Sequence, residues 1–372
     1  MNRRQAVVGG TLALVVLGAG LVVALPRVAN RLPTRIQPIA QLPERLTARV
    51  WPARVSRKVR LANLTEPERA AVAALAPRLD GLIAWASNRS GHHELYVVDL
   101  RKGAGRRLTQ SSRASFFARF SPDGASLVFV RSQQERVSVR DATHWDVYLI
   151  RVDGTGERRI AEGGYHPTWT SDGSGIIFLR GSRVYRYDLA AGREHLVLDA
   201  AQVWPGIEDF GDAEVSPDGR QWAFPLRGRF SGVFGLHGGF SGAVVYEPEN
   251  QRLALLTREQ ACETTWAPDG ASVLWVETGG NGGTRIMRGR PDGTDRRVFM
   301  DLPGAYSHEY FPKLSNDGRW LVWGGAAEGH EQDQADYEIF VWEVGTPWDQ
   351  ATRLTYHPGN DNWPDLWVRP PP

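Results

Sequence analysis

The chain has 372 residues, a formal net charge of +2 and a single cysteine. That near-neutral balance makes no case for nucleic-acid binding, and one thiol cannot build an intramolecular disulfide framework. Lysine occurs only at 58, 102 and 313, and we read this arginine bias as genome composition rather than as a binding signal.

In chain order, the first segment is an apolar run, Ala6 to Leu25, that contains no charge. It is long enough to span a bilayer as a helix. Arg3 and Arg4 precede it, which favours a cytoplasmic N-terminus. The expectation is a transmembrane anchor over 1–25. A cleaved signal peptide, with Val22-Val23-Ala24 as its cleavage site, is the alternative. Either places the rest of the chain outside the cytoplasm.

Residues 26–80 hold a Pro- and Arg-rich linker, with Pro26, Pro33, Pro38, Pro43 and Pro52, that reads as extended. A short helix closes it. Thr65-Glu66-Pro67-Glu68 fits a capping box, Ala70 to Leu75 continue it, and Pro77 stops it. This helix is expected to pack on the side of the domain that follows.

From residue 81 to 368 one phrase recurs. It reads Ser121-Pro122-Asp123-Gly124, Thr170-Ser171-Asp172-Gly173, Ser216-Pro217-Asp218-Gly219, Ala267-Pro268-Asp269-Gly270 and Ser315-Asn316-Asp317-Gly318. The aspartates at 123, 172, 218, 269 and 317 stand 49, 46, 51 and 48 residues apart, the mark of a repeat architecture. Pro, Asp and Gly each suit a tight turn. Strand-like runs flank the turns, such as Phe116 to Phe120 and Ser126 to Val130. A third strand follows in each unit, as in Asp146 to Ile150, and a fourth ends it, as in Leu255 to Thr257. Four antiparallel strands per ~45 residues make a propeller blade. Residues 82–109 supply second to fourth strands without a first, and 362–367 supply a first strand without a second. Joining them closes a ring. The fold class expected is all-β, a six-bladed β-propeller of four-stranded antiparallel blades behind an N-terminal transmembrane helix, with 369–372 as a tail.

The run Ile83-Ala84-Trp85-Ala86-Ser87-Asn88-Arg89, followed by Glu94-Leu95-Tyr96, Arg107-Leu108-Thr109 and Phe120 to Gly124, resembles the TolB-like propeller repeat, a branch of the WD-type repeats. The resemblance covers about 81–368 and implies fold far more than function. The family's namesake carries an α/β domain ahead of its propeller, and residues 1–80 are too few and wrongly composed for one. Related propellers are fused to peptidases with a Gly-x-Ser-x-Gly elbow. Here Gly239-Phe240-Ser241-Gly242-Ala243 lacks the final glycine.

Function is expected on one face. Turns between strands one and two are short. The two–three loops and blade connections are long, including 132–143, 199–210, 227–242, 277–283 and 324–336. Loops longer than a hairpin needs are where binding residues collect. Eight of the nine histidines fall on that face, although long loops gather polar residues in any case. The candidate ligand-binding set at the channel mouth is His166, His308, Glu309, His357, Asp361, Glu214 and Glu263, overhung by the acidic stretch Glu328 to Asp336. Trp145, Tyr165, Tyr310 and Trp363 are candidate stacking surfaces. The repeat aspartates read as turn residues and Cys262 as an inert thiol.

Two functions fit. The first is a membrane-tethered scaffold binding a protein, peptide or envelope glycan, with no cofactor, in the inner membrane with its propeller on the periplasmic side. The second is a metal-assisted lyase or hydrolase, in which His308, His357 and His166 would hold a divalent ion, although no strong ligand-spacing motif is present.

Overall fold

Helix α1 (Glu66–Leu75) begins at the capping box read from the sequence. The Glu68 N–H donates to Thr65 Oγ1 at 3.4 Å, and the Thr65 N–H donates to Glu68 Oε2 at 2.7 Å, so two orphan donors of the first turn are satisfied reciprocally. Its buried face, Ala71, Val72 and Leu75, packs with Ile83, Trp85, Trp320, Val322, Ile339 and Leu354. The helix thus covers the side of the domain where the first and last parts of the chain meet. The computed structural model describes residues 64–203, 207–233, 236–281, 283–329 and 331–371. The apolar run Ala6–Leu25 and the linker to residue 63 lie outside them, and among the described residues no helix is long and apolar enough to cross a membrane.

Six antiparallel sheets follow. β1 (Gly81–Ser87), β2 (Glu94–Asp99) and β3 (Ala104–Arg107) begin the first sheet. The second holds β4 (Ser115–Phe120), β5 (Ser126–Ser132), β6 (Trp145–Arg151) and β7 (Arg158–Ala161). The third holds β8 (Tyr165–Trp169), β9 (Gly175–Arg180), β10 (Arg183–Asp188) and β11 (Arg193–Asp199). The fourth holds β12 (Ile207–Phe210), β13 (Glu214–Val215), β14 (Trp222–Val233), β15 (Leu236–Glu247) and β16 (Arg252–Thr257). The fifth holds β17 (Ala261–Trp266), β18 (Val273–Gly279), β19 (Gly283–Gly289) and β20 (Arg297–Met300). The sixth holds β21 (His308–Leu314), β22 (Trp320–Ala326), β23 (Tyr337–Glu343) and β24 (Thr352–Arg353). The last strand, β25 (Asp361–Val368), pairs with β1, giving the order β25-β1-β2-β3. That closure leaves no inner edge at the seam.

The recurring turns behave as punctuation. In each, the aspartate accepts from the backbone N–H two residues on, at 2.9 to 3.1 Å. The following glycine has φ between 68° and 77°, a conformation only glycine adopts without steric cost. These carboxylates are spent on turn geometry.

The fourth sheet departs from the expected pattern. Residues 227–233 and 236–242, expected as loop, are strand. They continue β14 and β15 as a ribbon of two 12-residue strands. Pairing to β12 ends at Gly228 and pairing to β16 ends at Ala243, so the ribbon extends past both neighbours. The inner strand of this sheet is broken into β12 and β13. Pro225 of β14 stands opposite the break, where it accepts from the Gly211 N–H at 2.8 Å but has no N–H to donate. Ser241 lies within β15, paired with Arg227, and not on the strand-to-helix turn that a hydrolase nucleophile requires.

Candidate functional site

Five of the six inner strands carry a bulge at one fixed offset, and the sixth is broken there. Six residues before the turn aspartates stand Phe117, His166, Asp212, Glu263 and Phe311. Trp363 takes the same place in the seam strand. Register shifts bracket the position in β4, β8, β17, β21 and β25. There φ is 54° at Phe117, 46° at His166, 53° at Glu263, 60° at Phe311 and 52° at Trp363. Left-handed backbone at bulky residues costs of order 1–3 kcal/mol each. A bulge re-aims its side chain, and five repeats of the same conformation mark it as part of the architecture.

The re-aimed side chains converge. Phe117 stands 4.0 Å from Trp363 and 4.4 Å from His166 between ring centroids, and Phe311 stands 3.9 Å from Trp363. These rings come from four different sheets, so they plug the central channel. The other two members are acids. His166 Nδ1 lies 2.9 Å from Asp212. Burial alone would raise the Asp212 carboxyl, but the His166 charge and hydrogen bond hold it well below the usual carboxylate range. Glu263 is 5% exposed and accepts from the Phe311 N–H. Burial pushes its carboxyl well above the usual range, further than that hydrogen bond pulls it back.

Two residues further along each strand lies a second ring, toward the short turns. It contains Arg119, Glu214, Lys313 and Asp365, with Thr168 and Thr265 between. Lys313 pairs with Glu214, and Asp365 accepts from the Phe120 N–H at 2.7 Å. Lys313, Arg119 and Asp365 are all buried.

The long-loop mouth is covered. The loop after β22 meets the loop after β5 over the channel. Asp333 accepts from Ser138 Oγ and, at 3.0 Å, from the Val139 N–H. Arg140 pairs with Glu331 at 3.3 Å. Between these contacts the Gln332 carbonyl accepts from Asn360 Nδ2 at 2.6 Å and from Asn362 Nδ2 at 3.4 Å. Gln332 Nε2 donates to Glu263 Oε1 at 3.4 Å. Val137, Val139 and Ala335 are buried in the same apolar cluster as the plug. Glu331 to Asp333 therefore form a strap fixed to several blades.

The candidate residues separate accordingly. His166 and Glu263 stand in the plug ring, and Glu214 stands in the ring beneath it. Glu309 is buried, accepting from the Leu302 N–H at 2.7 Å and from Thr284 Oγ1 at 3.4 Å. Burial raises its carboxyl to about 8. Asp361 is taken up by Arg89 at 2.8 Å, and Arg89 also donates to Glu68. His308 packs against Gly283 so closely that a Cβ there would collide with its ring. His357 is buried, which lowers its imidazole pKa, and it adjoins Gly359. Among the described residues no three His, Cys, Asp or Glu side chains are arranged to hold a metal ion. Trp145, Tyr165, Tyr310 and Trp363, expected as stacking surfaces, are all buried. Their rings fill the plug and its surroundings instead. Cys262 is partly buried, and its low-dielectric setting pushes the thiol well above its ordinary value.

Phe117, Phe311, Arg119, Lys313, Asp365 and the Arg89–Glu68 pair escaped the sequence reading. A usable signal existed for the first four, a fixed offset from a turn aspartate, and for Asp365 in the alignment of Trp363-Pro364-Asp365 with Phe311-Pro312-Lys313.

No protein-family model and no curated protein matches the chain. Solved structures do. A TolB structure from Agrobacterium tumefaciens aligns over 78% of this chain and 99% of its own, with 15% identity and a TM-score of 0.52. Hydrazine synthase from Kuenenia stuttgartiensis aligns over 80% of this chain and 48% of its own, with 12% identity and a TM-score of 0.54. TolB from Acinetobacter baumannii aligns over 71% of this chain, with 15% identity and a TM-score of 0.47, and the match spans 65% of that protein's length. At these identities the likeness is one of fold. In fold, the described chain is a TolB-like six-bladed β-propeller.

Proposed function

We propose that this protein is an extracytoplasmic binding scaffold that engages a protein or peptide of the cell envelope through its long-loop face. The observation that carries this reading is an asymmetry between faces. One face is closed by tight Asp-Gly turns. The other bears a strap, its partner loop and a ribbon longer than a blade needs. Loops longer than a fold needs are where binding residues concentrate. Tethering by the apolar run Ala6–Leu25 belongs to the same proposal, resting on the length and charge-free character of that run. A glycan is the less supported ligand, because the aromatic residues expected to stack on one are buried. Nothing in the arrangement favours a metal-assisted lyase or hydrolase over the scaffold.

Photo-crosslinking in cells tests the face. A crosslinking residue at Glu328 or Arg229, both exposed on the long-loop side, should trap a discrete partner. The same residue at the exposed turn positions Asp218 or Arg319 should not. Trapping from the turn face alone would overturn the assignment.

A further inference from the structure

The strap residue Gln332 links two sets of buried acceptors. Its side-chain amide donates to Glu263 Oε1 at 3.4 Å, and its backbone carbonyl faces the side-chain amides of Asn360 and Asn362. Glu263 is a buried carboxyl group, and among the described residues no Lys, Arg or His nitrogen lies within ion-pair distance of it. Asp212, Glu214 and Asp361 each have such a partner, in His166, Lys313 and Arg89. Asn360 and Asn362 are at least 98% buried, and among the described residues the Oδ1 of each has no hydrogen-bond partner. A buried amide oxygen left without a donor costs about 1–3 kcal/mol, so these atoms call for a donor that the strap does not supply. Phe311, whose backbone N–H donates to Glu263, sets its ring against that of Trp363, the chain neighbour of Asn362, and aromatic faces attract cations.

A buried carboxyl group with no cationic partner, two amide oxygens without donors and neighbouring aromatic rings are together complementary to one chemical group. We propose that the mouth of the channel, beneath the strap, is a binding site for a primary alkylammonium group, and that Gln332 occupies the place of that group in the free protein. An alkylammonium carries three N–H donors, matching Glu263 Oε1, Asn360 Oδ1 and Asn362 Oδ1. Binding requires the strap to swing away, which releases the Asp333 bonds to Ser138 and Val139, the half-exposed Arg140–Glu331 pair and the Gln332 carbonyl's bonds to Asn360 and Asn362, while the Gly359 N–H bond to Asp336 anchors the far end of the loop. The ammonium comes either from a free amine or from a lysine side chain of a partner. The lysine source deepens the scaffold reading and rests on it, whereas the free-amine source does not.

The test uses the purified full chain and calorimetric titration with n-butylammonium, with n-butanol as a neutral control of the same shape. The expected result is saturable binding of the ammonium and none of the alcohol. Gln332→Ala removes the internal competitor and should tighten binding by ~10-fold, since a closed state taxes apparent affinity. Glu263→Gln, which keeps the shape and removes the ionisable carboxyl, should abolish binding while the thermal melt shows a folded protein. A lysine-containing tripeptide binding more tightly than n-butylammonium would assign the group to a partner, and equal or weaker binding would assign it to a free amine. Absence of any difference between ammonium and alcohol in both the wild type and Gln332→Ala overturns the proposal. If crosslinking from the long-loop face still succeeds in that case, the scaffold reading stands without this pocket.

Discussion

Arg89 Nη2 reaches Asp361 at 2.8 Å although 272 residues separate them, and the same Nη2 and Nη1 donate to Glu68 at 2.8 and 3.0 Å. All three side chains have no exposed surface. One guanidinium thereby ties helix α1 to both strands of the seam. Burial opposes its charge, but the two carboxylates more than offset this and raise its pKa. Removing one partner of a buried ion cluster strands the others without compensation. Arg89→Ala should destabilise the protein by ~3–5 kcal/mol, read by chemical denaturation. A loss under ~1 kcal/mol would mean that the seam is held by strand pairing alone.

Glu309 makes stability depend on pH in a defined direction. Its carboxyl is raised from 4.5 to about 8 by burial, so the folded state holds a proton that the unfolded chain releases. The associated stability is complete below about pH 4.5 and is lost as pH rises toward 8. Glu309→Gln removes that dependence. Relative to wild type, the variant should gain roughly 1–4 kcal/mol between pH 5 and pH 8. Parallel stability curves for the two proteins would contradict the assignment.

The strap should open locally. Asp333→Ala deletes both bonds to Ser138 and Val139 but leaves the blades untouched. Backbone amides of 133–144 and 331–336 should then exchange at least ~10-fold faster, while strand amides keep their protection. Unchanged exchange in both loops would show that the remaining contacts of Gln332 hold the strap closed unaided.

The plug ring predicts an inverted preference for glycine. At an ordinary strand position alanine is more stable than glycine by roughly 0.5–1 kcal/mol. Phe117 has φ 54°, where a Cβ costs about 1–2 kcal/mol. Both Phe117→Ala and Phe117→Gly lose the ring, at ~3–5 kcal/mol. The glycine variant should nonetheless be the more stable of the two. Denaturation midpoints in the opposite order would show that the backbone relaxes once the ring is gone.

Architecture was legible in the sequence because it is a local property repeated. Asp123, Asp172, Asp218, Asp269 and Asp317 sit in turns set by adjacent residues, and the unmatched strands at 82–109 and 362–367 could pair only with each other. The capping box at Thr65 and Glu68 is equally local. What each inner-strand residue faces was not legible, because a bulge shifts the alternation by one residue and turns Phe117, His166, Glu263, Phe311 and Trp363 into the channel. Glu309 and Asp361 looked like residues of an open mouth and are buried, one against Leu302 and the other against Arg89. Only the tertiary structure brings Asp333 to Ser138 and Gln332 to Glu263. Those contacts join loops far apart in the chain, and no spacing in a sequence encodes which loops meet over the axis of a closed ring.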